Sequence, residues 1–218
     1  MIRRAKAAID LLTKKRFCSL WSRHEIPANE SDPAGIWANL LDRFAEPHRR
    51  YHGKAHMEHC LQEFDQASSA MENPDAVEMA LWFHDVVYAA GANDNEEKSA
   101  DLFEHFARRA LEQPFASEVG SLILDTKHIQ LPVTSNAKYT VDIDLASFGR
   151  PWPEFMADCH ALRNEQTTFS HEQFYRKKCA FLNSLLARQN IYSTPHFQKR
   201  YENSARQNMV RYIELIQP

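Results

Sequence analysis

Apolar residues recur at helical spacing along most of the chain, and the strict alternation of a half-buried strand is almost absent. The pattern predicts helices over 3–23, 34–46, 54–70, 95–111, 117–128, 152–166 and 197–215. Asn73-Pro74-Asp75 reads as a helix start, with a capping side chain, proline at the first helical position and an acid in the first turn. The helix it opens, to about Tyr88, is apolar nearly all round and is expected to be central. Ser170 and Gln173 form a capping box ahead of Phe174, Phe181, Leu182 and Leu185. A short helix ending at Gly149 carries an apolar stripe of Val141, Leu145 and Phe148. Residues 89–95 and 129–140 read as loops. The expected fold is all-α, a compact bundle of many helices.

Composition adds limits. The chain has 218 residues, of which 44% are hydrophobic, enough to bury a core within one domain. A net charge of −3 gives no bulk basic field for nucleic acid. No stretch approaches 18 apolar residues, so no membrane partner is expected. The basic residues near the N-terminus are followed by no apolar run and read as a solvated helix rather than a signal peptide. Cys18, Cys60, Cys159 and Cys179 form no CxxC pair and fit free thiols in a reducing cytoplasm.

The candidate chemistry lies in the histidines. Eleven are present, and five fall in two tight groups. His52, His56 and His59 are spaced i, i+4 and i+7, which places them on one face if all three are helical. His84-Asp85 is a polar doublet inside the apolar run Leu81–Val87. An aspartate in such a setting calls for a cation or for hydrogen-bond donors. A further carboxylate is expected from Asp142 or Asp144, and Asp144 is preferred because it falls on the apolar stripe.

The order His56, His84-Asp85, Asp144 resembles the H…HD…D signature of the HD-domain metal-dependent phosphohydrolase superfamily. Ala80–Asp85, Asn95–Ala100 and Asp142–Leu145 are similar to a bacterial subgroup of predicted HD phosphohydrolases, and Tyr51-His52 with His56 resembles the cyclic-nucleotide phosphodiesterase branch. The likeness spans about 36–213 within a single domain of 1–218, with 1–35 as a helical extension. It implies an all-helical fold holding a divalent ion (Mn, Fe, Ni, Zn, Co or Mg) on His56, His84, Asp85 and Asp144. It further implies hydrolysis of a small phosphate ester, a nucleotide first of all, by metal-activated water, with His52 as the acid for the leaving group.

Secondary candidates surround this set. Asp85 also counts among the catalytic groups, and Glu97 either complements its helix dipole or orients water. His128 is open to a second metal, substrate contact or a structural role. Lys138, placed in a loop, and Arg163, placed on a mostly buried stripe, are candidate phosphate ligands, while Arg176-Lys177-Lys178 reads as a charged surface. The competing functions are a di-iron oxygenase, a non-catalytic nucleotide sensor and a structural metal domain. A homodimer through the terminal helices is left open.

Overall fold

A computed structural model describes residues 12–27 and 31–216. Among these residues the fold is all-α. Ten α-helices follow one another: α1 (Lys14–Ser22), α2 (Pro33–Phe44), α3 (Lys54–Ala67), α4 (Pro74–Phe83), α5 (Asn95–Ala107), α6 (Gln113–Asp125), α7 (Ser135–Asp144), α8 (Trp152–Glu165), α9 (His171–Leu186) and α10 (Pro195–Ile216). Two 3₁₀ turns, Ser68–Ala70 and Leu145–Gly149, extend α3 and α7. None of these helices is long and apolar enough to cross a membrane.

The sequence signals for α4 act as expected at its start. The Asn73 side chain accepts from the Ala76 amide, and Pro74 opens the first turn. Every residue from Ala76 to Phe83 is buried. α4 packs against α1, α3, α5, α6 and α7, which makes it the axis of the molecule. Its one buried acid, Glu78, is paired with Arg16 at 2.7 Å. α1 comes from the stretch read as an extension, yet Phe17, Leu20 and Trp21 lie in the same core cluster. The part of the predicted 3–23 helix before residue 12 lies outside the described residues.

Several predicted boundaries move. α4 stops at Phe83 rather than near Tyr88, because the groups beyond it bond elsewhere. The Asp85 and Val86 carbonyls accept from Arg49, and the Val87 amide donates to Ser99 Oγ. α6 begins four residues earlier than expected, and α7 begins at Ser135, inside the stretch read as loop, where Thr134 caps it through the Ala137 amide. Gly149 permits a close approach: a Cβ there would meet the Tyr201 side chain of α10 at 2.5 Å. The turn after Asp144 is therefore pressed directly onto α10.

Candidate metal centre

Three elements bring the central residues together. His56 lies in the first turn of α3, His84 follows the last residue of α4 with Asp85 next to it, and Asp144 ends α7. His56 Nε2 is 3.3 Å from His84 Nε2, 3.1 Å from Asp144 Oδ1 and 3.4 Å from Asp85 Oδ2. His84 Nε2 is 3.1 Å from Asp85 Oδ2 and 3.6 Å from Asp144 Oδ1. Donor atoms about 2.0–2.2 Å from one ion are separated from their neighbours by roughly this much.

The chemistry of the set points the same way. His84 Nδ1 donates to the Leu81 carbonyl at 2.8 Å, which turns the Nε2 lone pair of the neutral ring toward the cluster. Asp85 Oδ2 is buried and has no hydrogen-bond partner, despite lying beside two imidazole nitrogens. Carboxylate oxygens of Asp85 and Asp144 thus crowd the two imidazole nitrogens with too few protons between them, and a cation resolves that conflict. Protons compete for the same place. Burial opposes a charge on His84, but Asp85 and Asp144 more than offset it and raise its pKa well above the usual histidine value. A buried group of His56, Cys60, His84 and Asp144 could hold a metal ion. Cys60 Sγ lies 3.6 and 3.9 Å from the two nitrogens of the His56 ring, beside the ring rather than beyond its lone pair. Burial is the main cause that pushes its thiol pKa up.

The three histidines expected on one face part company. His52 precedes α3, whose cap is Gly53, and its Nδ1 bonds Glu165. Its ring stacks on Tyr88 at 4.3 Å between centroids. Glu165, at the end of α8, also accepts from the amides of Arg50, Tyr51 and His52. Burial works against its charge, but His52 and these donors bring its pKa down to about 2. Burial likewise opposes a charge on His52, while Asp85, Glu165 and Asp144 raise its pKa. His59, one turn along α3 from His56, is a neutral ring whose pKa falls to about 3, chiefly through burial.

Arg49 ties these parts together. Its buried guanidinium donates to the His52 carbonyl at 3.0 Å, the Asp85 carbonyl at 2.5 Å and the Val86 carbonyl at 2.8 Å.

A cavity of about 580 Å³, its open mouth included, lies against Asp144 and is lined by His52, His128, Ser147, Asp158 and Lys178 among apolar side chains. His128 takes a left-handed backbone conformation, φ 57°, uncommon for a residue other than glycine. Its Nε2 lies 2.8 Å from Asp144 Oδ2.

Other predicted residues lie elsewhere. Glu97 pairs with Lys127 at the start of α5 and is not part of the cavity wall. Lys138 is a helical residue of α7, not a loop residue, and does not line the cavity either. Arg163 is half-buried rather than on a core stripe, because its guanidinium is used locally: it donates to the Gln166 and Phe169 carbonyls and packs over Phe174. Asp142 points away from the cluster and accepts from the amides of Ser193 and Thr194 and from Thr194 Oγ1.

Lys178, read as surface, is buried in the cavity wall. Its signal was its place on the stripe Phe174, Lys178, Leu182 and Leu185. Glu165 is not among the sequence candidates, being set aside as a poorly placed partner for Arg163, although Asp158, Leu162 and Glu165 share one face of α8 at i, i+4 and i+7. Comparison of the chain with protein-family models, with curated proteins and with solved structures gave no match.

Proposed function

We propose that this chain is a metal-dependent phosphohydrolase acting on a small phosphate ester, in line with the HD-domain resemblance of His56, His84-Asp85 and Asp144. One observation carries the reading: donor atoms from α3, the turn that ends α4 and the end of α7 come within 3.1–3.6 Å of one another beside the open cavity that Asp144 lines. The cavity opens to solvent beside Asp144 and mixes apolar walls with a few polar groups, the lining expected of a small-molecule site. Nucleotides are the first class to test.

When bound, a divalent ion supplies polarisation of a phosphoryl oxygen and a lowered pKa for a water. The remaining work falls to side chains of the chain itself. His52 lines the cavity, and Glu165 holds its Nδ1, so the charged ring has Nε2–H left to give to a departing alkoxide. Four acceptor bonds fix Glu165, which sets the plane of the His52 ring. His128 holds Asp144 from the side opposite His56 and His84. Phe148, Phe155 and Phe181 restrict water around the substrate.

The di-iron oxygenase alternative draws on one feature: the two oxygens of Asp144 face different partners, His56 and His84 on one side and His128 on the other. Metal stoichiometry separates the two readings, one ion per chain against two irons. The test of the main reading is elemental analysis followed by phosphate release from a nucleotide panel with Mn, Co or Mg added back. His84→Ala and Asp85→Ala should lose both the ion and the activity. Variants that keep the ion and the normal rate would overturn the reading.

A further inference from the structure

Lys178 is more than nine-tenths buried. Among the described residues its ammonium makes no hydrogen bond and no ion pair. It lies over two rings instead, with Nζ 5.0 Å from the centroid of Phe148 and 5.9 Å from that of Phe181. Ring faces attract a cation but do not replace its lost hydration. Asp158 and Cys159 act on it only through space, and burial outweighs them, so its pKa is lowered. The ammonium keeps only its small opening to the cavity, and an anion placed there would offset the cost of burying it.

Its position says where that anion belongs. Lys178, Leu162 and Phe181 form a wall shared by two hollows. The inner hollow also touches His52, His128 and Asp144. The outer groove touches none of these three and is lined by Gly91, Phe169, Phe174 and Lys177. Lys178 therefore stands at the exit of the metal-side cavity.

We propose that Lys178 binds a second anionic group of the ligand, a carboxylate or another phosphate, carried on an apolar body that spans from the metal-side cavity to this wall. The inference rests on the phosphoester reading for the first anionic group and narrows the substrate class to small molecules with two separated negative groups. Phe148 and Phe181 would flank the body that joins them.

The test uses the full chain loaded with Mn and isothermal calorimetry. The probes are phosphonocarboxylates from 3-phosphonopropionate to 6-phosphonohexanoate, each beside the alkylphosphonate of matching length. At one length the carboxylate should tighten binding by about tenfold or more. In Lys178→Met that ratio should fall to about one, and in Lys178→Arg part of it should survive. Removing an unpaired buried charge should also raise the Tm of Lys178→Met by about 2–4 °C. A carboxylate that gives no advantage at any length would overturn the inference, as would an advantage that survives in Lys178→Met. So would a Tm that falls, because Lys178 would then belong to a satisfied internal network. The two readings fail separately. If no phosphonate binds but hexanoate binds in a Lys178-dependent way, the anion site stands and the phosphoester reading falls.

Discussion

Asp142 and Asp144 lie two residues apart on α7, both largely withdrawn from solvent, and they answer the cost of burial in different ways. Asp142 turns toward the start of α10 and accepts from two backbone amides and a hydroxyl. Burial pushes its pKa up to about 6 even so. Asp144 turns toward His56, His84 and His128, whose pull outweighs burial and holds its pKa well below the carboxylate range. One acid is satisfied by the protein and fixes two helices. The other meets the ring nitrogens of three histidines, an arrangement that makes sense around a cation. A buried acid reveals its role through its partners, not through its burial.

The comparison breaks most sharply by mutation. Asp144→Asn should weaken metal binding by more than the roughly 10–100-fold typical of losing an outer partner. Its fold should survive, and elemental analysis with circular dichroism checks both points. Asp142→Ala should do the reverse. It strands the Ser193 and Thr194 amides and should cost about 2–4 kcal/mol in chemical denaturation, with the metal content intact. Equal effects of the two variants on metal content would erase the distinction.

A smaller effect is expected at Glu165. Glu165→Gln removes a charge that raises the His52 pKa. On the phosphohydrolase reading, the basic limb of the pH–rate profile, where the protonated acid is lost, should move to lower pH. The metal content should stay constant.

The same contrast between carboxylates should appear as opposing slopes of stability with pH. Asp142 titrates near 6 in the folded chain against an ordinary 3.8, so the native state binds more protons across that window and its stability falls as pH rises from 3.8 to 6. Glu165 has the opposite sign: its contribution is complete above its ordinary 4.5 and is lost as pH falls toward about 2. Denaturation of Asp142→Asn at pH 4 and pH 6.5 should show a smaller difference between the two conditions than the parent chain.

Much of the helical frame could be read from the chain because its signals are local. Asn73-Pro74 and the Ser170–Gln173 box act within one turn, and they mark the starts of α4 and α9. His84-Asp85 stood out because an acid in an apolar run is a local contradiction. Boundaries set by distant partners were not legible. The end of α4 depends on Arg49 and Ser99, neither of which is near it in sequence. Glu165 and Lys178 were missed for the same reason. Each looks like an ordinary polar helix residue until α8 and α9 fold against the cavity. The i, i+4, i+7 spacing would put His52 on one face with His56 only if the helix ran back through it, and the chain instead enters α3 at Gly53, so His52 stands before the helix.

The guanidinium of Arg49 fastens the backbone at His52 to the backbone at Asp85 and Val86. The proposed proton donor and the candidate ion cradle are thereby bolted to one rivet. A swing of either stretch drags the other along, so such a breathing motion would carry His52 and Asp85 in step.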